Sequence, residues 1–235
     1  MLNAVDYGKG WNEYYRSFDE GDIAIPWDVD AEQAAAEDLT RFVHSFERAL
    51  PIVDIGCGTG TQTRFLRSYY DHVLGVDISA HAIRLASAHA LPGLAFEALD
   101  ILDAKAVRRL ASHLGCANIY MRGVLQQVVR TDRSSFIHNL STLMGDGTLY
   151  LNELSTDSPL AFARRAREDR ILPKDLARVL AIGVTRFAGV STQELSDLFP
   201  SETFSILESG TASIRVKSFD SLTDIPSVWA VIKHR

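Results

Sequence analysis

Three glycines alternate with other residues directly after a short apolar run, in the stretch PIVDIGCGTG at residues 51–60. Glycine lacks a side chain, so a ligand can lie close against the backbone of such a stretch. A dinucleotide fingerprint would read G-x-G-x-x-G, and a phosphate-binding loop would need a lysine followed by serine or threonine; neither is present here. The stretch therefore predicts a ligand site without a pyrophosphate cradle. Its candidate binding residues are Asp54, Gly56, Cys57, Gly58 and Gly60.

Two further acidic residues end the next two predicted strands. Asp77, in GVDIS, lies 17 residues after Gly60. A carboxylate at that place can accept hydrogen bonds from both hydroxyls of a ribose and would repel a 2′-phosphate. Asp100, in ALDIL, can accept a hydrogen bond from an adenine amino group, and Ile78 and Ile101 are placed to sandwich the ring. These residues predict a nucleoside-binding site.

Short apolar runs alternate with helical patterns over residues 51–154, which places these acids at strand ends. The predicted strands are PIVDI, VLGVDI, LAFEAL, NIYMRGVL and TLYLNEL, followed by late strands at FSILES and SVWAVIKHR. This alternation predicts an α/β fold with a mainly parallel sheet and helices on both faces, where ligands bind past the carboxyl ends of the strands. Residues 31–49 predict an amphipathic helix, and residues 155–190 predict a helical insert after the fifth strand.

The composition is that of one good-sized globular domain, with 235 residues, 46% hydrophobic residues and a formal charge of −6. An acidic protein would meet nucleic acid only through a local basic patch, so no nucleic acid partner is expected. The two cysteines, Cys57 and Cys116, have no disulfide or metal-ligand spacing, and no metal is expected. Since no signal pattern or apolar run of the ~18 residues of a membrane span occurs, we expect a cytoplasmic protein with a single domain over residues 1–235.

Five motifs in order resemble those of the class I S-adenosylmethionine-dependent methyltransferases: DIGCGTG at 54–60, GVDIS at 75–79, ALDIL at 98–102, MRGVLQQ at 121–127 and GDGTLYLNE at 145–153. The resemblance covers roughly residues 35–155. It implies a Rossmann-like, seven-stranded, mainly parallel sheet with an antiparallel last strand. It also implies S-adenosylmethionine as cofactor, S-adenosyl-L-homocysteine as product, no metal, and Arg122 among the cofactor-binding residues.

The N-terminal segment, residues 1–30, is rich in aromatic residues and resembles the helical lid that small-molecule methyltransferases fold over the cofactor. Tyr15 and Trp27 are expected beside the cofactor and Tyr14 beside the substrate. An aromatic face over a sulfonium cation contributes ~0.5–2 kcal/mol. A Trp27 that only fastens the segment to the core would give the same pattern.

The insert at residues 155–190 is the second variable part, and in this family such an insert commonly caps the substrate site. It combines an apolar helical face with a crowd of arginines, which would suit a lipophilic acid. Ordinary core packing with a solvated basic face would give the same pattern. The apolar residues are Leu172, Leu176, Val179, Leu180 and Val184, and the arginines are Arg164, Arg165, Arg167 and Arg170.

The residues after the fourth predicted strand bear on the methyl acceptor. Many relatives carry a histidine in this motif, where the chain has Gln126 and Gln127. Glutamine cannot take up a proton but donates hydrogen bonds to a carboxylate, which is a deprotonated nucleophile and needs no general base. Carboxyl methyltransferases hold the substrate carboxylate at this place. We therefore expect O-methylation of a carboxylic acid with an apolar tail, such as a fatty acid, with one or both glutamines orienting it; a polar loop end without a role is the alternative.

Three other functions remain open from the sequence. One is another small-molecule O-, N- or S-methyltransferase. The second is an RNA methyltransferase that uses the basic insert, although no Asn/Asp-Pro-Pro-aromatic motif for base amino groups follows the fourth strand. The third is a catalytically silent partner that binds S-adenosylmethionine. A metal-dependent catechol-type site is disfavoured, because the fourth strand begins with Ala117 and Asn118 instead of acids.

Overall fold

A computed structural model describes residues 5–21, 24–89, 91–169, 174–181, 189–218 and 221–235. Within these ranges, seven strands form a single sheet in the order β3-β2-β1-β4-β5-β7-β6. The first five strands are parallel, and β7 lies antiparallel between β5 and β6. The predicted sheet with its antiparallel last strand is confirmed. The strands are β1 Ile52–Ile55, β2 Val73–Asp77, β3 Leu94–Ala98, β4 Asn118–Arg122, β5 Thr148–Leu154, β6 Phe204–Ser218 and β7 Ser221–His234.

Helices connect the parallel strands and cover both faces of the sheet. Ser79 caps α4 by accepting a hydrogen bond from the Ala82 amide, and Asp103 caps α5 in the same way. A 3₁₀ turn, Leu125–Gln127, follows β4. The helices are α1 Tyr7–Asp19, α2 Ala31–Phe42, α3 Thr61–Arg67, α4 Ala80–Ser87, α5 Ala104–Leu114, α6 Arg130–Met144, α7 Ser158–Asp169, α8 Lys174–Ala181 and α9 Thr192–Leu198.

The order of the strands reverses at β1, which pairs with β2 on one side and with β4 on the other. All four residues of β1 are buried, since helices pack on both faces of the sheet. One cluster of buried side chains joins the sheet to α5 and α6, and a second joins it to α2 through Phe42. The connections of β1 and β4 leave the sheet in opposite directions, which opens a crevice at their carboxyl ends.

The last two strands are much longer than the sequence predicts. The prediction placed β6 at FSILES, whereas β6 and β7 pair along 15 and 14 residues and extend past the end of the sheet. Apolar residues at alternate positions of the extension turn inward, so that Ile214, Val216 and Ile225 are 3%, 5% and 1% exposed. This part of the hairpin packs with Leu154 and Phe162 on the side of the crevice.

The insert after β5 contains α7 and α8. Three residues of the prediction lie outside the described residues: Leu172 and Val184 of the apolar face, and Arg170 of the arginine group. Val179 is fully buried in α8, whereas Leu180 is exposed. Helix α2 ends at Phe42, and turns replace the rest of the predicted helix over residues 31–49. In the described ranges, no helix has the length and apolar character of a membrane span.

Asp38 of α2 fastens that helix to the sheet. Its carboxylate is 1% exposed and accepts hydrogen bonds from the Tyr120 hydroxyl at 2.9 Å, the Tyr150 hydroxyl at 2.5 Å and the Asn152 amide at 2.9 Å. The Arg122 Nε atom lies 3.5 Å from the same carboxylate. A buried carboxylate is stable only when its oxygens are paired in this way, so Asp38 ties α2 to both β4 and β5.

We expect Asp38→Ala to lower the free energy of unfolding by about 3–5 kcal/mol, because three buried donors and two cations, Arg41 and Arg122, lose this acceptor. Urea denaturation measures this change. Glu37→Ala, in the preceding position of the same helix but with an exposed side chain, is the matched control and should cost less than about 1 kcal/mol. Equal losses in the two variants would contradict the role of Asp38.

Candidate active site

A cleft opens at the carboxyl ends of β1, β2 and β4, where the strand order reverses. Its empty space is about 1540 Å³, which includes the part that opens to solvent. Residues at the strand ends and residues of α6, α7 and β6 line it together. Of the residues predicted for the site from the sequence, all but Gly60 and Tyr14 line it. Those that do are Tyr15, Trp27, Asp54, Gly56, Cys57, Gly58, Asp77, Ile78, Asp100, Ile101, Arg122, Gln126 and Gln127.

Side chains from two other segments lie close to the backbone of the glycine loop. A side chain at Gly56, where φ is +71°, would come within 2.5 Å of Val124. A side chain at Gly58, where φ is +55°, would come within 2.6 Å of the Tyr15 hydroxyl. Both glycines are thus required by the backbone conformation and by close packing within the chain.

Asp77 holds the glycine loop against the end of β2. Its Oδ2 atom accepts a hydrogen bond from the Gly58 amide at 3.0 Å, and its Oδ1 atom accepts one from the Ser79 amide at 2.8 Å. Burial raises the pKa of Asp77 to about 6, although these two hydrogen bonds lower it. Each carboxylate oxygen has a further lone pair, so Asp77 can still accept hydrogen bonds from a ligand in the cleft.

Asp54 is a second buried carboxyl on the floor of the cleft. It accepts a hydrogen bond from the Thr63 hydroxyl at 2.6 Å. Burial raises its pKa to about 7, the Thr63 hydrogen bond lowers it, the charge of Asp77 raises it and the charge of Arg122 lowers it. A cation bound beside Asp54 and Asp77 would replace the lost hydration of both carboxylates.

At the far end of the cleft, Asp100 accepts a hydrogen bond from the Leu102 amide at 2.8 Å through its Oδ1 atom. Its Oδ2 atom has no hydrogen-bond partner within the described part of the chain and is available to a donor. Ile78 and Ile101 line the same end. This combination of one acceptor and apolar faces suits a flat ring that carries an amino group.

Cys57 is a neutral packing group within the glycine loop. It is 5% exposed, and burial, followed by the charges of Asp77 and Asp54, raises the pKa of its thiol well above the usual range. The thiolate is the nucleophilic form of cysteine, so Cys57 is not a nucleophile here. The structure describes all seven histidines of the chain, and none of them lines the cleft. In the part of the chain that the structure describes, no three His, Cys, Asp or Glu residues are grouped as a metal site would need.

Aromatic residues of the N-terminal segment cover the cleft. Trp11, Tyr15 and Trp27 line it, and Trp11 packs edge-on against Trp27 with ring centroids 5.8 Å apart. The placement of Tyr14 differs from the prediction, because its ring is fully buried and stacks on the Trp27 ring at 5.5 Å, outside the cleft lining. Successive residues of a helix point about 100° apart, and here Tyr15 of α1 lines the cleft while Tyr14 turns into the core.

Gly60 also lies elsewhere than predicted. It occupies the position before α3 with a φ of +81°, and its amide donates a hydrogen bond to the Cys57 carbonyl. It therefore turns the chain from the glycine loop into the helix instead of contacting the cleft.

Two hydrogen bonds hold the segment around Trp27 across the cleft. The Thr59 hydroxyl, in the glycine loop, donates to the Asp28 carboxylate at 2.5 Å. The Lys217 amide, in β6, donates to the Pro26 carbonyl at 2.6 Å. The covering segment is thus attached to the glycine loop on one side and to the long hairpin on the other, which limits the access of water.

The 3₁₀ turn after β4 places two amide side chains on the other side of β1 from Asp100. The Gln126 carbonyl oxygen accepts a hydrogen bond from the Leu154 amide. A backbone N–H can donate only to the oxygen of the side-chain amide, so the Nε2 group of Gln126 is the part left to face the cleft. Gln127 differs from Gln126, because its Oε1 atom is buried and accepts no hydrogen bond from the described residues.

Apolar residues that the sequence did not predict form a wall of the cleft that includes Leu154, whose amide binds Gln126. They come from α6, the end of β5, α7 and β6, and include none of the described arginines of α7. The signal for two of them was the alternation in SIRVK, which places Ile214 and Val216 on one face of a strand. The wall residues are Phe136, Leu154, Phe162, Ile214 and Val216.

The sheet order, the antiparallel β7 and a cleft with strand-end acids define a Rossmann-like enzyme that binds a nucleoside cofactor. A family model described as "Methyltransferase domain" matches residues 52–147. The S-adenosylmethionine-dependent methyltransferase of Anabaena variabilis ATCC 29413 is 30% identical in sequence, covers 99% of this chain and 96% of its own, and superposes with a TM-score of 0.93. The chain belongs to the S-adenosylmethionine-dependent methyltransferases, and its cofactor is S-adenosylmethionine.

Two other relatives are more limited matches. The trans-aconitate 2-methyltransferase of Deinococcus radiodurans is 43% identical over 76 residues, which is 32% of this chain and 29% of that protein. The match thus spans less than a third of the length of this curated relative. Magnesium protoporphyrin IX methyltransferase of Synechocystis PCC 6803 with bound S-adenosylmethionine covers the whole of both chains at 17% identity and a TM-score of 0.61, which supports the fold alone.

The residues of the cleft fit this cofactor. Asp100 and the isoleucines beside it suit an adenine ring, and Asp77 keeps lone pairs for ribose hydroxyls. Asp54 and Asp77 are buried carboxyls with raised pKa values, and the sulfonium and ammonium groups of the cofactor are the cations that would compensate them. Arg122, whose side chain is 8% exposed, lies in the cleft near Asp54 and can hold the cofactor's carboxylate.

We expect cofactor affinity to rise as the pH increases from about 5 to about 7, because a cation in the cleft favours the ionised form of Asp54. The pKa of Asp54 is raised to about 7 in the free protein, so at lower pH binding must displace a proton, which weakens it. Above that pH the carboxyl is already ionised and the dependence ends. Calorimetric titration with S-adenosylmethionine in two buffers of different ionisation enthalpy measures both the affinity and the protons released.

Asp54→Asn removes this titration and should flatten the rise in affinity, leaving the smaller contribution of Asp77 below about pH 6. Asp71→Asn changes an exposed carboxylate in the turn before β2 and should keep the wild-type slope. The same slope and the same proton release in Asp54→Asn and the wild type would contradict the coupling.

Proposed function

We propose that the protein transfers the methyl group of S-adenosylmethionine to a carboxylate oxygen of a small carboxylic acid with an apolar tail, which yields the methyl ester. The observation that carries this proposal is the fixed amide of Gln126. Because its oxygen is engaged by the Leu154 amide, the group that faces the acceptor is a hydrogen-bond donor. A donor beside an apolar wall suits an anionic head group that is attached to an apolar tail.

The chemistry asks little of the protein beyond alignment. The cofactor supplies an activated methyl group on a sulfonium with a neutral thioether as leaving group. The protein has to place the acceptor oxygen in line with that methyl group, and such positioning is worth up to ~7–11 kcal/mol. A carboxylate is already deprotonated at neutral pH, so the absence of histidine among the cleft-lining residues does not hinder the transfer.

The cofactor half of the cleft is assigned from the positions of its charged groups. Asp77 accepts hydrogen bonds from the ribose hydroxyls, and Asp100 accepts one from the adenine amino group. Ile78 and Ile101 enclose the adenine ring. Arg122 lines the cleft and carries a positive charge, so it binds the carboxylate of the methionine part. Its charge also lowers the pKa of the nearby Asp54.

The acceptor half begins where Leu154 ends β5. The backbone of Leu154 holds the Gln126 amide, and its side chain belongs to the apolar cluster of Ile214, Val216 and Ile225. A carboxylate bound at Gln126 would therefore extend its tail along this cluster. Each methylene buried there is worth about 0.8 kcal/mol, so the tail adds to the affinity for the acceptor.

The covering segment keeps water from the reacting atoms. Trp27 lies between the two hydrogen bonds that attach this segment to Thr59 and Lys217. Tyr15 approaches the glycine loop closely enough to exclude a side chain at Gly58. Aromatic faces at this place also stabilise a sulfonium by ~0.5–2 kcal/mol.

A relative supports the carboxylate as acceptor. The Deinococcus radiodurans protein that matches part of this chain is a trans-aconitate 2-methyltransferase, and aconitate has carboxylates but no hydroxyl, amine or thiol group. Its substrate lacks an apolar tail, however, so the tail in the present proposal rests on the cleft wall alone.

A labelling experiment tests the acceptor class. The purified protein is incubated with methyl-labelled S-adenosylmethionine and separate pools of fatty acids, aromatic acids, trans-aconitate, phenols, amines and bulk tRNA. We expect label in a base-labile ester, with KM falling about fourfold for each methylene added to the acid's tail. Label in phenols, amines or tRNA would overturn the carboxylate, and cofactor binding without any labelled product would favour the silent partner.

Gln126→Glu tests the donor at constant shape. The new carboxylate keeps an oxygen for the Leu154 amide but presents an anion where the acceptor carboxylate binds. We expect kcat/KM for acids to fall about 10–100-fold at neutral pH, as expected for the loss of a hydrogen bond to a charged group. The loss should shrink at lower pH, because the introduced carboxyl group regains a donor when it is protonated.

Gln127→Glu is the matched control, since the neighbouring residue has the same length and also lines the cleft. It should change kcat/KM by less than about threefold if Gln126 alone orients the acid. Unchanged kinetics in Gln126→Glu on every acid that the wild type methylates would contradict the role of the donor.

A further inference from the structure

Glu153 is a buried carboxylate that lies behind the cleft instead of lining it. Its side chain is 0% exposed, at the next-to-last position of β5. One oxygen accepts a hydrogen bond from the Val124 amide at 3.0 Å, and the other accepts one from the Gln126 amide at 3.2 Å. Glu153 therefore binds the backbone of the turn that carries the proposed acceptor-orienting residue.

The same two segments are joined a second time in the opposite direction. The side-chain oxygen of Gln126 accepts a hydrogen bond from the Leu154 amide, the residue after Glu153. A side chain of β5 thus holds the backbone of the turn, and a side chain of the turn holds the backbone of β5. With both ends fixed, the Gln126 amide has one orientation relative to the sheet.

The charge of Glu153 is needed for this arrangement. An ionised carboxylate accepts at both oxygens, whereas an amide or a protonated acid accepts well at only one. The N–H groups at the start of a 3₁₀ turn have no partner within the turn, so Glu153 supplies the acceptors that they lack. Burial raises the pKa of Glu153 to about 7, while the hydrogen bonds from the turn and the charge of Arg133 lower it and favour the ionised form.

We propose that Glu153 is a positioning residue for methyl transfer, which acts through Gln126 by holding its Nε2 group toward the acceptor. This inference rests on the proposed function, because it assumes that Gln126 binds the acceptor. Glu153 touches neither cofactor nor acceptor. Replacing Glu153 is therefore expected to raise KM for the acceptor. This effect should disappear in a variant whose residue 126 can no longer donate a hydrogen bond.

A double-mutant cycle with Glu153→Gln and Gln126→Ala tests the inference. In Glu153→Gln, the new amide group opposes one of the two backbone N–H groups, so the turn loses a hydrogen bond and shifts. We expect kcat/KM for the acid to fall tenfold or more, mainly through a higher KM, while the affinity for S-adenosyl-L-homocysteine changes less than about threefold. The double variant should be no worse than Gln126→Ala alone, because both changes remove the same contact.

The controls separate a local effect from a loss of folding. Glu208→Gln makes the same change at an exposed position of β6 and should leave the kinetics unchanged. Glu153→Asp retains the charge but reaches only one of the two N–H groups, so it should recover part of the KM and remains informative if Glu153→Gln does not fold.

The outcomes distinguish this inference from the function on which it rests. If Gln126→Ala has the wild-type kcat/KM for the acid that the wild-type protein methylates, the proposed function fails. If Gln126→Ala is impaired but the two losses multiply in the double variant, the proposed function stands and the positioning role of Glu153 is overturned. Wild-type kinetics in Glu153→Gln would overturn the positioning role directly.

Discussion

Carboxylates at the carboxyl edge of the sheet, of which Asp77 and Glu153 are buried, bind backbone N–H groups of the loops that form the cleft. Asp77 at the end of β2 binds the amide of Gly58 in the loop after β1. Asp100, just after β3, binds the amide of Leu102, and Glu153 near the end of β5 binds the turn after β4. Loops at this edge cannot continue the ladder of the sheet, so their N–H groups need other acceptors. These side chains therefore help to fix the shape of the cleft.

This arrangement has an energetic consequence that also serves the function. Removing a carboxylate from water raises its pKa, to about 7 for Asp54 and Glu153 and to about 6 for Asp77. Part of the free energy of folding is therefore used to keep these groups ionised at neutral pH. In the proposed cofactor site, the cationic groups of S-adenosylmethionine would offset this cost at Asp54 and Asp77. Glu153 is instead stabilised by the N–H groups of the turn and by Arg133.

The cofactor half of the site could be predicted from the sequence because it depends on local patterns. Apolar runs locate the strand ends, and Asp77 and Asp100 stand directly after such runs. The acceptor half depends on contacts between distant segments, and those were only partly predictable. Ile214 and Val216 reach the cleft because β6 and β7 pair far beyond the sheet, and no short window of sequence reports the length of a hairpin. Tyr14 was misplaced since the helical rotation of α1 is set by its packing against α4 and α8.

The two halves of the cleft differ in how they are built, and this difference explains how one fold can serve many acceptors. The cofactor contacts come from strand ends and short loops in the rigid centre of the sheet. The acceptor wall comes from α6, the end of β5, the insert helix α7 and the extension of β6, and the covering N-terminal segment is attached to β6 through the Lys217–Pro26 hydrogen bond. Changes in those elements alter the wall without moving Asp77 or Asp100. The turn after β4 contributes to both halves, since Val124 packs on the glycine loop and Gln126 lines the cleft beside Leu154. In the proposed function, its attachment to β5 would therefore set the distance between the methyl donor and the acceptor.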